Sequence, residues 1–259
     1  MRLRTIRLVL LLIGAAALVA LIVSQGRLPA GVTRGTLTSG GTERSYLLYV
    51  PASYDPAAPT PLVLSIHGFA SWPANQMEVS QWNELADEHG FILAYPSGTG
   101  FPKRWNTSGA AGEGGADDVA FLLALIDALS QQYSIDPQRV YVNGLSNGGG
   151  MSNTLACLRP ERIAAMGGVA GAYTEPAGGC NPARPVPVIA FHGTADRIVP
   201  YTNCTDNAEV IFYTVEGGGH NWPGGGRLPE SIVGHMTEDI DASAVMWEFF
   251  QQHPLNLGD

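Results

Sequence analysis

Three residues whose types could carry nucleophilic catalysis follow one another along the chain in the order serine, acid, histidine: Ser146, Asp196 and His220. An activated serine needs a base within hydrogen-bond reach and an acid that orients the base. Ser146 is the centre of Gly144-Leu145-Ser146-Asn147-Gly148, a G-x-S-x-G pattern whose glycines permit a sharp turn from strand to helix. The sequence therefore predicts acyl transfer, with Ser146 as nucleophile, His220 as base and Asp196 as the orienting acid.

Each partner of the serine has an alternative. An aspartate in a turn is usually a local cap, and Asp206 is the nearest alternative to Asp196. His235 is the other serious candidate for the base. The remaining histidines are predicted to lie on a helix, in a tail or at strand ends: His89, His253, His67 and His192.

The oxyanion of an acyl-transfer intermediate needs two preorganised donors. We expect them to be the backbone amides of Asn147, directly after the serine, and Phe69, in the loop after the third strand. Gly68 lets the backbone of that loop approach a substrate closely. We interpret His67 as a hydrogen-bonded structural histidine, in preference to a catalytic one.

The elements that must position these residues are short apolar strands alternating with helices. An opening antiparallel hairpin is expected from Thr33–Thr38 and Ser45–Val50, because Gly40-Gly41 lies between them. The later pattern predicts a doubly wound, mostly parallel sheet with helices on both faces. Its expected strands are Leu62–Ile66, Phe91–Tyr95, Val140–Val142, Ile163–Val169, Val186–Phe191 and Glu209–Val215, and its expected helices are Asn75–His89, one capped by Asp117, Asn147–Leu158 and Glu238–Gln251.

Catalytic side chains in such a sheet are expected at the carboxyl ends of the strands. Asp136-Pro137 is expected to break the chain before the Ser146 strand, and Gly90 to end the first long helix. Trp105 and Trp222 lie in glycine-rich loops, where each could stack on an acyl or sugar ring or simply pack beneath its loop. Asp117-Asp118 is expected to cap a helix.

The composition of the amino-terminal segment is typical of a targeting signal. Met1–Arg7 carries three arginines and precedes the uncharged, apolar Leu8–Val23, which is short for a membrane-spanning helix. We expect residues 1–26 to be a signal peptide cleaved near Gly26, with an uncleaved anchor facing outside the cytoplasm as the alternative. Residues 27–259 are expected to form a single exported domain.

Composition excludes several function classes. The chain has 23 acidic against 14 basic residues, so nucleic acid is not an expected partner. The sequence contains no HExxH, no paired CxxC and no GxxxxGK, so no metal and no cofactor are expected. We expect a monomer that contacts a membrane only through an uncleaved amino-terminal segment.

These motifs together resemble the secreted polyhydroxybutyrate depolymerase and feruloyl or acetylxylan esterase family of α/β-hydrolases, from about Gly35 to Pro254. The resemblance implies ester hydrolysis by Ser146, Asp196 and His220, without a cofactor, on polyester oligomers or plant-wall polysaccharide esters. The motifs that carry it are Ile66-His67-Gly68, Arg104-Trp105-Asn106, Asp117-Asp118-Val119, Gly144–Gly149, His192–Asp196 and Gly217–Gly224.

The chain departs from that family in its connection before the last strand, where Thr194–Ala208 provides only 15 residues. A parallel crossover needs about a dozen residues, so the connection can be made, but it should leave one sheet face poorly covered. We expect an exposed apolar patch beside Val188 and Ile211, or lowered stability. A competing hypothesis is a non-catalytic binding or surface protein in which the short segment misplaces Asp196.

The cysteines are a second departure. Relatives often carry Cys-Cys-Gly where this chain has Ala110-Ala111-Gly112, so the usual partner of Cys204 is missing. The resemblance therefore favours a bridge between Cys157 and Cys180.

Overall fold

A computed structural model describes residues 28–109, 115–199 and 210–256 of the 259-residue chain. The expected signal segment 1–26, the alternative acid Asp206, Cys204 and Ala110–Gly112 lie outside these residues, as does most of the short crossover.

The described residues form eight strands and six helices. The strands are β1 Val32–Ser39, β2 Thr42–Tyr49, β3 Thr60–Ile66, β4 Ile92–Pro96, β5 Ile135–Leu145, β6 Ala165–Val169, β7 Val188–Gly193 and β8 Val210–Val215. The helices are α1 Pro73–Ser80, α2 Trp82–His89, α3 Asp118–Gln132, α4 Asn147–Leu158, α5 Glu230–Val233 and α6 Ala242–Gln252.

All eight strands belong to one sheet in the order β1-β2-β4-β3-β5-β6-β7-β8. β1 and β2 form the expected antiparallel hairpin, and the pairings from β4 through β8 are all parallel. One apolar cluster joins α1, α2 and α6 to one face, and a second joins α3 and α4 to the other. The doubly wound, mostly parallel sheet with an amino-terminal hairpin is confirmed.

The single helix expected over Asn75–His89 is wrong, because the chain forms two helices that meet at Gln81. Gln81 has a φ of 54°, a left-handed conformation that ends α1. The carbonyl of Ser80, freed at this break, accepts a hydrogen bond from Ser243 Oγ at 2.6 Å. The bend thereby ties the helix pair to α6, while Gly90 ends α2 as expected, at a φ of 71°.

Two other boundaries also differ from the sequence prediction. Asp136-Pro137 does not break the chain before the Ser146 strand, because β5 runs through it with an irregularity in its pairing to β3. The closing helix begins at Ala242, later than Glu238, because the Asp241 carboxylate accepts hydrogen bonds from two amides of its first turn.

The short crossover still leaves β8 fully paired with β7, from Val188 opposite Val210 to Gly193 opposite Val215. On the α4 face of these strands lies an open groove of about 460 Å³, whose walls include Val188, Val210 and Phe212. Ile211 lies between Val210 and Phe212 in β8, so its side chain is on the opposite face, where it is 37% exposed. The described residues therefore place apolar side chains beside a groove where the short connection was expected to leave the sheet poorly covered.

Cys157 in α4 is joined by a disulfide to Cys180, the pairing that the resemblance favours. No helix among the described residues is long and apolar enough to cross a membrane.

Candidate active site

Ser146 lies at a sharp turn between β5 and α4. Its φ of 56° and ψ of −120° are uncommon for a residue with a side chain, and its amide is held by the Val169 carbonyl at 2.9 Å. The side chain is half-buried at the carboxyl end of β5. This is the geometry that the G-x-S-x-G pattern predicts for a presented nucleophile.

The two glycines of the pattern are explained by how closely the backbone packs around the turn. A Cβ added at Gly148 would lie 2.1 Å from the Ile66 carbonyl oxygen, and one added at Gly144 would lie 2.4 Å from the Gly148 carbonyl carbon. Neither neighbour is a flexible side chain. The turn can therefore form against β3 only with glycine at both positions.

His220 and Asp196 are hydrogen-bonded to each other, with His220 Nδ1 2.7 Å from Asp196 Oδ2. Both side chains are buried. A carboxylate can only accept, so Nδ1 carries the proton and Nε2 is left as the basic nitrogen. Ser146 and His220 are both among the described residues, and no hydrogen bond joins Ser146 Oγ to the His220 ring. The distance from a nucleophile to its base is often long in ligand-free sites.

Asp196 is fixed by its own turn. Its Oδ1 accepts hydrogen bonds from the amides of Ile198 at 2.8 Å and Val199 at 3.0 Å, which leaves Oδ2 for the histidine. His192 Nε2 lies 3.3 Å from the same Oδ2 and 2.8 Å from the Val199 carbonyl. The sequence placed His192 only at a strand end, so this second histidine beside the acid was missed.

The loops that carry the acid and the base are joined to each other across the short crossover. The Ala195 amide donates to the Gly218 carbonyl at 2.9 Å, and the Gly217 amide donates to Thr194 Oγ1 at 2.9 Å. A Cβ at Gly193 would lie 2.1 Å from the Gly218 oxygen, so the two loops are in direct backbone contact. The shortened connection therefore leaves the Asp196–His220 pair intact.

The two expected oxyanion donors belong to segments that adjoin the nucleophile. A Cβ added at Gly68 would lie 3.4 Å from Ser146 Cβ, so the loop after β3 adjoins the serine. Among the described residues, the backbone amides of Phe69 and Asn147 have no hydrogen-bond partner. Both amides are therefore available to a ligand atom next to Ser146.

His67 supports this loop and does not face substrate. The ring is fully buried, with Nε2 accepting from the Gly98 amide at 3.0 Å and Nδ1 lying 2.7 Å from the Gly68 carbonyl. Nδ1 must then carry the hydrogen of a neutral ring. Burial lowers the pKa of His67 to about 4, which favours the same neutral form.

The remaining candidates are two buried tryptophans and one exposed histidine. Trp105 and Trp222 are 3% and 1% exposed, so neither offers a ring face for stacking, and packing beneath a loop describes both. Their indole nitrogens donate to the His67 carbonyl and to Ser243 Oγ. The alternative base His235 is exposed and lies 3.5 Å from Glu230, on the surface of the molecule.

The sequence also missed a buried ion pair behind the site. Arg44 in β2 and Asp118 at the start of α3 meet at 2.7 Å, and both are buried. Only Asp117 caps α3, by accepting from the Ala120 amide. Burial raises the pKa of Asp118, while the Asn106 amide and Arg44 act in the opposite direction. No sequence signal links two residues 74 positions apart.

No group of three or more His, Cys, Asp or Glu side chains within the ranges 28–109, 115–199 and 210–256 is arranged to hold a metal ion. At the carboxyl edge of the sheet, the described residues place a presented serine, a histidine–aspartate pair and two open amides.

The class of α/β-hydrolases is defined by a mostly parallel sheet with this strand order and by the positions of three residues. The serine lies at the turn after β5, the acid follows β7 and the histidine follows β8. Within that class, residues 44–186 match the model of the family described as esterase, PHB depolymerase. The chain belongs to this family.

Curated relatives align with the chain at about one-third identity. A bifunctional acetylxylan esterase/xylanase of Neocallimastix patriciarum is 32% identical over 161 residues, and a poly(3-hydroxybutyrate) depolymerase of Ralstonia pickettii is 34% identical over 147. The alignments cover 62% and 51% of this chain but 22% and 30% of those proteins. The chain thus spans less than one-third of the length of either relative.

Solved structures confirm the fold. A thermostable esterase superposes with a TM-score of 0.63 at 19% identity, covering 86% of this chain and 63% of the other. A ferulic acid esterase from Anaeromyces mucronatus, solved with ferulic acid, has a TM-score of 0.57 at 18% identity and covers 76% and 87%. At these identities the likeness is one of architecture.

Proposed function

We propose that this protein is a serine carboxylic ester hydrolase that works through Ser146, His220 and Asp196. The observation that carries the proposal is the 2.7 Å hydrogen bond from His220 to Asp196, formed at the same carboxyl edge of the sheet as a serine held at a φ of 56°. The bond gives the imidazole the tautomer that a general base needs. The names of the family and of the relatives point to esters as the substrates.

The reaction follows from the roles of these groups. His220 Nε2 takes the proton of Ser146 Oγ as the oxygen attacks the ester carbonyl carbon, and the amides of Phe69 and Asn147 receive the developing oxyanion. His220 then gives that proton to the departing alkoxide, leaving an acyl-enzyme. Water attacks the acyl carbon after losing a proton to His220, and the acid leaves as Ser146 regains its hydrogen.

The substrate class is proposed from the surface around the site. Four of the large apolar side chains that are most exposed lie in segments that follow β3, β4, β7 and β8, on the carboxyl edge of the sheet. This apolar rim consists of Phe69, Phe101, Ile198 and Ile232, which are 57%, 81%, 49% and 70% exposed. Because apolar surface favours apolar ligands, we expect hydroxybutyrate oligomers or feruloyl esters to be preferred over acetylated xylan.

The proposal includes export. The arginine-rich and apolar stretch at the amino terminus supports removal of residues 1–26 and action outside the cytoplasm. Mass spectrometry of the secreted protein, with its first residue at or near Arg27, tests this step.

Labelling of Ser146 tests the catalytic assignment. The wild-type protein should release p-nitrophenol from p-nitrophenyl acetate and take up one organophosphonate per chain, on Ser146. Ser146→Ala should lose the label and about 10⁴-fold or more in kcat. Ser130→Ala is the control, because Ser130 Oγ bonds the Ile126 carbonyl within α3 and has no other hydrogen bond to a described residue.

Failure of the wild-type protein to hydrolyse any ester or to take the label would favour the alternative, a binding or surface protein of the same fold. A panel of methyl ferulate, acetylated xylan and hydroxybutyrate oligomers then identifies the substrate. A preference for acetylated xylan would contradict the role given to the apolar rim.

A further inference from the structure

One loop contacts both halves of the proposed oxyanion hole. We call residues Ser97–Asn106, which follow β4, the brace loop. One donor, Phe69, belongs to the segment after β3, and the other, Asn147, belongs to the turn after β5. The two donors come from different elements, so their separation depends on whatever connects those elements.

On the Asn147 side, the brace loop forms a pair of hydrogen bonds with a side chain. The Trp105 amide donates to Asn147 Oδ1 at 2.8 Å, and Asn147 Nδ2 donates to the Trp105 carbonyl at 3.2 Å. The side chain thus bonds to Trp105 as a neighbouring strand would. Because this side chain belongs to the donor residue itself, the pair fixes the first turn of α4 relative to the brace loop.

On the Phe69 side, the same loop holds the residues that flank the donor. Trp105 Nε1 donates to the His67 carbonyl at 2.9 Å, and the Gly98 amide donates to His67 Nε2 at 3.0 Å. The Ala70 amide donates to the Lys103 carbonyl at 2.8 Å. The segment that carries the Phe69 amide is therefore held before and after the donor.

The brace loop is anchored at both of its ends by the buried ion pair. Arg44 donates to the Ser97 carbonyl at 3.1 Å, and Asp118 Oδ2 accepts from the Asn106 amide at 2.7 Å. The guanidinium also lies 3.9 Å from the ring centre of Phe121, against which Trp105 stacks. The loop cannot shift without breaking a buried charge-assisted contact.

We propose that Trp105 is a positioning residue that holds the Phe69 and Asn147 amides at a fixed separation for the oxyanion. Trp105 bonds to both sides, through its indole to the His67 carbonyl and through its backbone to the Asn147 side chain. Arg44 and Asp118 keep its loop in place. This inference rests on the proposed esterase function.

Two variants separate the two sides. Trp105→Phe keeps a buried ring but removes the indole donor, and Asn147→Ala removes the side-chain pair while keeping the backbone amide. Asn147 is half-buried at the start of a helix, so alanine there leaves no core cavity and should preserve folding. Trp247→Phe is the control, because Trp247 is also 3% exposed but packs in α6 in the other apolar cluster.

The kinetic readout is kcat and KM on p-nitrophenyl acetate, measured below the unfolding temperature of every variant. Trp105→Phe and Asn147→Ala should each lower kcat by about 10-fold to 100-fold with KM nearly unchanged, a smaller loss than deletion of a donor. Inhibition by a trifluoromethyl ketone, which forms the oxyanion, should weaken by the same factor. Trp247→Phe should stay within about twofold of wild type in all three measurements.

Amide hydrogen exchange gives a readout that needs no turnover. The amides to follow are those of Ala70 and Gly98, whose hydrogen bonds join the brace loop to the segment that carries Phe69. By NMR, they should exchange at least about 10-fold faster in Trp105→Phe than in wild type, and at the wild-type rate in Trp247→Phe. Unchanged exchange together with unchanged kcat in both brace variants would overturn the inference. If wild type hydrolyses no ester, the proposed function fails, and the exchange rates of the Ala70 and Gly98 amides still decide whether Trp105 holds the segment that carries Phe69.

Discussion

Asp118 accepts a hydrogen bond from Arg44 at 2.7 Å although the two residues are 74 positions apart, and this ion pair anchors the loop that contacts the segments of Phe69 and Asn147. Both side chains are at most 5% exposed. A buried pair that loses one charge leaves the other uncompensated. The pair is therefore expected to matter most when only one partner is changed.

Asp118→Asn should lower the free energy of unfolding by about 3 to 5 kcal/mol, because it leaves Arg44 buried without a counter-charge. Urea denaturation followed by circular dichroism measures this loss. Asp117→Asn is the matched control, since Asp117 is the adjacent exposed cap and asparagine caps almost as well, with a cost below about 1 kcal/mol. Equal losses in the two variants would argue against a special role for the buried pair.

His67 should make stability depend on pH on the acid side of neutrality. Its pKa is about 4 in the folded protein against 6.5 in the unfolded chain, so the unfolded state binds the proton first as the pH falls. The stability that the neutral ring contributes is complete above pH 6.5 and is lost progressively down to pH 4. The loss amounts to about 3 kcal/mol.

The variant His67→Gln isolates the contribution of His67 titration to stability, because glutamine keeps an acceptor for the Gly98 amide but does not titrate. Denaturation curves at several pH values should show a smaller loss for the variant than for wild type between pH 6.5 and pH 4. Any constant offset between the two proteins at pH 7.5 reflects packing and is subtracted. Parallel pH profiles would show that His67 is not held neutral.

Phe101, at 81% exposure the most open member of the apolar rim, should contribute to binding of hydrophobic esters. Phe101→Ser should lower kcat/KM on hydroxybutyrate oligomers about 10-fold more than on p-nitrophenyl acetate, because burying a phenyl ring contributes about 1.5 to 3 kcal/mol. Ile211→Ser removes an exposed side chain from the middle of β8 and should leave the ratio of the two substrates unchanged. If both variants change the ratio of kcat/KM for the two substrates equally, the apolar rim does not contribute to substrate binding.

The disulfide between Cys157 and Cys180 closes a loop with a sequence separation of 23. Cross-linking a loop of this length restricts the unfolded chain and contributes about 3 kcal/mol. The double variant Cys157→Ser/Cys180→Ser should therefore melt at a lower temperature than the oxidised wild type. Reductant should lower the melting temperature of the wild type but not that of the variant. If reductant lowers both melting temperatures equally, the effect does not come from the Cys157–Cys180 disulfide.

Much of the site could be predicted from the sequence because its determinants are local. A Cβ at Gly144 would collide with Gly148 within the same turn, and Asp117 accepts a hydrogen bond from the amide of Ala120, only three residues later. The apolar runs and turn residues also predict the order of strands and helices. Their boundaries were less certain where a distant contact decides them, as at Gln81, where the Ser80 carbonyl bonds to Ser243.

The sequence by itself determined the fold class, the order Ser146, Asp196 and His220, and the loops in which they lie, because short-range sterics and periodicity encode these. Only the tertiary structure decided that His192 lies beside Asp196, that Trp105 and Trp222 are buried, and that Arg44 meets Asp118. These contacts join residues on separate elements, and periodicity says which face of an element is buried but not which residue lies opposite. The connection of 15 residues before β8 is the clearest case. Its length alone did not determine whether Asp196 could reach His220. In the structure β7 pairs with β8, and the two side chains are hydrogen-bonded.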